Sequence, residues 1–350
     1  MKTSSFNRII ILSFIVIALP LSFFVFWLEP FSGDLTRIGG YRENEYGWNL
    51  PQKRFIEPHY RVGESIEDYN KYYDIVTIGD SFSVNKEQSW QNYLALSSKS
   101  SIITFHRRAV TISELLKYKQ FKKTPPKIFI FEVVEHGIQT ALHDIPLKDK
   151  GNTNINRLKP EMKFREVVFS QYMEAFKRNL NNSFSMDTAL HYMKSNLKQI
   201  FGSRIKALPK IVENKKTLFS NINKEFALFY HLDSLKNSIS LQEWSIIEKR
   251  FSLAQNLIQQ DGKTLFLAMI APDKRTAYDN LLKNESGNYT PAFDMMPAKY
   301  NINWINTQGE LLKMIDQNVS DVYLPNDIHW GYKGYEAAFI AIAKKIQSFQ

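Results

Sequence analysis

The chain has 350 residues, 44% of them hydrophobic, and a formal net charge of +10. That hydrophobic share excludes general disorder, and the length suits one domain of about 200–250 residues with an insertion or appendage. There is no cysteine, which excludes thiol catalysis, cysteine–zinc sites and disulfides.

The first element in chain order runs from Ile9 to Leu28, 20 residues without a charge, and follows Lys2 and Arg8. That length matches the hydrocarbon core of a bilayer, and the interior Pro20 is a tolerated kink. A cleaved signal peptide would carry a shorter apolar region and a small-x-small site. Here Phe23, Phe24, Phe26 and Trp27 lead into Glu29-Pro30 instead. The expectation for residues 1–30 is an uncleaved inner-membrane helix with its basic flank in the cytoplasm and the rest of the chain in the periplasm or outside. Residues 31–70 mix Gly, Pro, aromatic and charged residues without a sustained period, which reads as an irregular stalk.

Residues 71–350 read as one α/β domain with a mainly parallel sheet. Its first block predicts a strand from Ile75 to Gly79, a helix at Trp90–Ser98 and a strand at Ile102–Phe105. A helix at Ser113–Lys123 and a strand at Lys127–Val134 follow. Residues 150–260 read as a helical insertion, because Phe164, Val167, Val168, Tyr172 and Phe176 recur at helical steps, as do Leu190, Met193, Leu197 and Ile200. Residues 150–216 of it hold 14 Lys or Arg against 5 Asp or Glu. Such a basic face fits either a solvated helix surface or a cap that attracts an acidic glycan or anionic lipid headgroups. No nucleic-acid motif accompanies it, so nucleic acid is not an expected partner. Strands return at Thr264–Ile270 and Ile302–Ile305, and a final helix is predicted from Tyr335 to Ile346.

Chemistry concentrates at two places. An apolar β-branched strand runs straight into Gly79-Asp80-Ser81, so Ser81 falls at the carboxyl edge of the sheet, where open α/β folds gather reactive groups. A serine there is a nucleophile only beside a base. Pro325-Asn326-Asp327-Ile328-His329-Trp330 supplies one: Asp327, two residues before His329, can orient the imidazole toward Ser81. His106, His136 and His143 lack ligand spacing, so no metal or cofactor is expected. Glu132 and Glu135 follow a strand and would suit glycoside cleavage as a pair, although a Glu there is usually structural. Lys274 sits at a strand end without an assignable role.

These motifs resemble the SGNH (GDSL-type) hydrolases, whose serine follows the first strand and whose acid and base precede the last helix. More narrowly, Gly79-Asp80-Ser81-Phe82-Ser83, Ser89-Trp90-Gln91-Asn92-Tyr93-Leu94, Phe131-Glu132-Val133-Val134-Glu135 and the Asp327-to-Trp330 block resemble the SGNH-like proteins of periplasmic polysaccharide (alginate-type) O-acetylation. The resemblance covers roughly residues 70–145 and 260–350 and implies a three-layer sandwich. Many members carry Asp three residues before the His, where this chain has Asn326. In alginate-type members the Asp-His block can precede the serine, whereas here it follows. The blocks that usually supply a Gly and an Asn to the oxyanion hole are Phe105-His106-Arg107-Arg108-Ala109-Val110 and Val134-Glu135-His136-Gly137, and neither has the expected residue. The Ser81 N–H is therefore the first oxyanion donor, with Asp80, Arg107, Arg108, Ala109, Glu135 and Trp330 as further site residues.

The resemblance implies acyl transfer through a Ser81 ester, with a polysaccharide as substrate and a multi-pass membrane acyltransferase as the partner supplying acetyl groups. A periplasmic O-acetyl esterase and an inactive glycan-binding subunit are the alternatives. Tyr172, Phe176, Tyr192 and Phe201 could stack on sugar rings, though core packing is the expected role for most of them.

Overall fold

The computed structural model describes residues 7, 11–17, 32–145 and 207–349, apart from 40, 42, 213–216, 223, 225 and 284–288. Most of the expected anchor, and the sequence periodicities and aromatics at 164–201, lie outside the described residues. Residues 11–17 are helical. Among the described residues no helix is long and apolar enough to cross a membrane.

Six strands form one sheet in the order β1-β3-β2-β4-β7-β8, every pair parallel. They are β1 (Arg61–Gly63), β2 (Ile75–Gly79), β3 (Ile102–His106), β4 (Ile128–Val134), β7 (Leu265–Ala271) and β8 (Trp304–Ile305). A parallel sheet covered on both faces demands near-continuous apolar strands, and Ile75-Val76-Thr77-Ile78 and Leu265-Phe266-Leu267-Ala268-Met269-Ile270 meet that demand. Alternate residues then serve opposite layers. Ile75, Ile130, Leu267 and Met269 pack with α2 (Trp90–Ser98), α7 (Thr307–Asp316) and α8 (Tyr332–Gln347). Val76, Ile78, Phe129, Phe131, Phe266 and Ala268 pack with α3 (Ile112–Lys117), α4 (Lys119–Lys123) and α5 (Leu241–Ile258). Each buried Val, Leu, Ile, Phe or Met side chain among them contributes about 1.5–3 kcal/mol.

Local chemistry sets the helix starts. Thr111 with Glu114, and Ser240 with Glu243, form capping boxes at α3 and α5, which satisfy N–H groups that a helix start leaves unpaired. The helix expected over Ser113–Lys123 is broken at Tyr118, whose backbone is extended. The break turns Phe121 inward against Tyr69 and Phe129. α8 begins earlier than expected, because Gly331 is its N-cap and the Tyr332 N–H is taken by Gln52 Oε1 at 3.0 Å.

Two expectations about organisation are corrected. Residues 31–70 do not stand off as a stalk: β1 is an edge strand of the sheet, and α1 (Asp34–Gly39) packs on β5 (Ala207–Ile211) and β6 (Phe226–Tyr230). Glycine content and irregular spacing hid a strand of only three residues. Nor is 207–260 a continuation of a helical insertion. β5 and β6 are an antiparallel pair, and the aromatic-rich run Phe226–Tyr230 suits a strand. α5 instead covers one face of the main sheet.

Candidate active site

β2 ends at Gly79, where there is no room for a side chain: a Cβ would stand 2.5 Å from Ser83 Oγ and 2.6 Å from Glu132 Oε2. The turn that follows is held on three sides. The Asp80 N–H donates to Glu132 Oε2 at 2.9 Å, and Ser83 Oγ donates to the same oxygen at 2.8 Å. Asp80 accepts from the Phe82 N–H at 3.1 Å and, across to β4, from the Val134 N–H at 2.7 Å. Glu132 is fully buried in β4; burial first, and then the Asp80 charge, push its carboxyl well above the usual range. Glu132 is thus a buried anchor of the turn, taken up by the Asp80 N–H and Ser83 Oγ. Ser81 is left at the apex, and among the described residues its N–H donates no hydrogen bond.

His329 arrives on a loop closed by the antiparallel bridge between Tyr323 and Trp330. Its Nε2 lies 2.8 Å from Ser81 Oγ, and its Nδ1 lies 2.7 Å from Asp327 Oδ1. The His329 N–H also donates to Asp327 Oδ1 at 2.9 Å. Burial raises the Asp327 carboxyl, but the His329 charge and these hydrogen bonds outweigh it and hold the group below its usual range. For His329, burial lowers the imidazole while Asp327, then Asp34, raise it further, and the balance lies above the ordinary value. With Nδ1 facing a carboxylate, the tautomer that leaves Nε2 free to accept a proton is the favoured neutral form. Asn326 does not touch the imidazole. It is buried, and its Nδ2 donates to Glu43 Oε1 at 2.5 Å.

The other expected site residues divide. Asp80 shapes the Ser81 turn. The Arg107 N–H is spent on Gly79 O at 2.7 Å, the Arg108 N–H on His106 Nδ1 at 3.1 Å, and the Ala109 N–H on His106 O at 2.8 Å. No free backbone donor remains in that block. Burial, joined by the two arginine charges, drives His106 down to about 4, which fits its accepting role. Trp330 is fully buried, and its ring packs on Phe82 and Tyr335. Glu135 is likewise corrected. It is 1% exposed and bonds Lys236 at 2.6 Å, the Asp273 N–H at 2.8 Å and the Ala292 N–H at 2.7 Å. Those bonds make it a buried structural ion pair.

Lys274 and Asp34 also contribute, the first noted in the sequence without a role and the second unmarked in it. Lys274, at the start of α6 (Lys274–Tyr278), is buried and donates to the carbonyls of Leu228, Leu324 and Pro325 at 2.8, 2.7 and 2.9 Å. It ties the His329 loop to β6, and burial pushes its ammonium down to about 7. Asp34 reaches the site from α1: its N–H donates to Asp327 Oδ2 at 3.1 Å, and its carboxylate lies 3.8 Å from His329 Nδ1. No sequence signal marks Asp34, because 293 residues separate it from its partner.

Asp34, Asp327 and His329 form one cluster of ligand-type side chains, and His136, Asp233 and Asp273 form another. In each, the closest nitrogen–oxygen contact is a hydrogen bond, at 2.7 and 2.5 Å. No protein family, curated protein or solved structure matches the chain.

Proposed function

We propose that this chain is a serine-dependent acyl-transfer enzyme of the SGNH type, acting as an O-acetyltransferase on an envelope or exported polysaccharide. The hydrogen-bonded series Ser81–His329–Asp327 carries the reading, because an imidazole held by a carboxylate and set 2.8 Å from a hydroxyl is the arrangement that activates a serine. His329 Nε2 takes the Ser81 proton as Oγ attacks the acetyl carbonyl. Asp327 stabilises the imidazolium, and the free Ser81 N–H meets the developing oxyanion. As the tetrahedral intermediate collapses, His329 returns the proton to the departing oxygen and leaves acetyl-Ser81. A sugar hydroxyl then gives its proton to His329 and attacks the ester, and Ser81 leaves with that proton. Water in place of the sugar would give an esterase with the same residues.

An inner-membrane anchor and a multi-pass acyltransferase partner belong to the same proposal. The support here is sequence length and charge, together with the exposed apolar side chains of Ile11, Leu12, Phe14, Val16 and Ile17. Incubating the full chain in detergent with p-nitrophenyl acetate tests the chemistry. The expected result is acetate release and an acetyl mass on the Ser81 peptide, both lost in Ser81→Ala. Full turnover in Ser81→Ala would overturn the reading.

A further inference from the structure

The carboxyl edge carries a second histidine–carboxylate pair that the mechanism above does not use. His136 follows β4, the strand that pairs directly with β2 and its Ser81 turn. Its Nδ1 lies 2.5 Å from Asp273 Oδ1, at the end of β7, and 3.8 Å from Asp233 Oδ1. Both carboxylates are almost fully buried, whereas the His136 side chain keeps 18% exposure, the same as His329. The Tyr230 ring stands edge-on to the imidazole, with centroids 5.6 Å apart. The two imidazoles are thus built alike, each held at Nδ1 by a buried acid. They differ at Nε2: that of His329 meets Ser81 Oγ, and that of His136 has no partner among the described residues. The Asp80 side chain borders this edge: it accepts from the N–H of Val134, two residues before His136, at 2.7 Å, and its charge acts on both imidazoles.

We propose that His136 is a substrate-binding residue beside Ser81, donating a hydrogen bond from Nε2 to an oxygen of the acylated sugar. This rests on reading Ser81 as the nucleophile. The charge state suits a donor and not a base. Burial lowers the His136 imidazole, but the Asp273 charge and hydrogen bond, then Asp233 and Asp80, lift it to about 9. Below that pH the ring is an imidazolium with a proton on each nitrogen. Above it the remaining proton stays on Nδ1 toward Asp273, and Nε2 becomes an acceptor. Burying two carboxylates behind one histidine is costly unless they pair, and perturbed groups of this kind gather at functional sites.

The test uses the full chain with cellobiose octaacetate as the probe. Binding is measured by calorimetry in the Ser81→Ala background, so no turnover intervenes. His136→Phe should weaken binding about tenfold or more, the usual worth of a hydrogen bond from a charged donor, and His136→Gln should recover part of it. Binding should fall as pH rises through about 9, and this fall should vanish in His136→Gln. Asp233, pushed up to about 8 by burial and then by the Asp273 charge, also titrates near there and lies against the same imidazole. That is why the comparison with the glutamine variant decides. Equal binding with and without His136, or the same pH response in His136→Gln, would overturn the proposal. Loss of acetate release in Ser81→Ala is read separately, so a failure of the nucleophile reading is distinguishable from a failure here.

Discussion

The backbone N–H of Asp34 donates to Asp327 Oδ2 at 3.1 Å, so the residue that orients His329 is itself held by a segment from the other end of the chain. The next residue repeats the tie: the Leu35 N–H donates to Asn326 O at 2.9 Å. Gly33 makes this approach possible, because a Cβ there would overlap Asn326 O and stand 2.5 Å from Asn326 Cγ. Gly33→Ala should therefore displace the Asp327 loop and lower kcat/KM on p-nitrophenyl acetate about 10–100-fold, the usual result of a misplacement near 1 Å. Asp34→Asn keeps the N–H and should cost far less. Equal rates for Gly33→Ala and parent would remove the clamp from the mechanism.

Substitution within the triad should separate acid from neighbour. Ser81→Ala and His329→Ala should each abolish turnover, since both act in one proton transfer. Asp327→Ala should lower kcat by about 10⁴-fold. Asn326→Ala should be much milder on rate, because Asn326 binds Glu43 and not the imidazole. Steady-state kinetics on the four variants checks this, and a strict need for Asn326 with none for Asp327 would reverse the assignment.

The pH profile follows from His329. Its base form is required, and its folded value is raised, so activity should fall as pH drops through a point above the ordinary imidazole value of about 6.5. Asp327→Asn removes the largest raising influence and should move this limb to lower pH. A limb at the same pH in both proteins would show that another group controls it.

Lys274→Met should leave three buried carbonyls without their shared donor. Pro325 O and Leu324 O keep the Leu228 and Asp327 N–H groups at 2.8 and 3.3 Å, so at about 1–3 kcal/mol for an unsatisfied buried group the loss should be on the order of 1–3 kcal/mol. Denaturant unfolding measures it. A variant as stable as the parent would mean that water replaces the ammonium.

Fractionation tests the anchor. An uncleaved apolar segment at 9–28 should keep the full-length chain in the membrane fraction, and a C-terminal phosphatase fusion should be active. Recovery of a shortened soluble form would reject it.

The sequence by itself determined the sheet and the reactive pair. Strands buried on both faces must be apolar throughout, so β2, β4 and β7 are legible as short β-branched or aromatic runs. Gly-Asp-Ser at a strand end and Asp-x-His before the last helix are local patterns that need no partner to be recognised. Asp327 was separable from Asn326 by spacing, and the fold explains that choice by sending the Asn326 amide to Glu43. What tertiary structure alone decided is long-range. β1 has three residues and exists only because β3 offers it an edge. Asp34 becomes part of the site only when α1 folds back on the His329 loop. Glu135 and Trp330 lie beside site motifs in sequence, yet packing buries both, Glu135 against Lys236 and Trp330 against Phe82 and Tyr335. Lys274 is visible in the sequence only as a lysine at a strand end, because its four carbonyl partners come from two segments 46 to 53 residues away on either side of it. Contacts of that reach are set by packing, which no window of sequence contains.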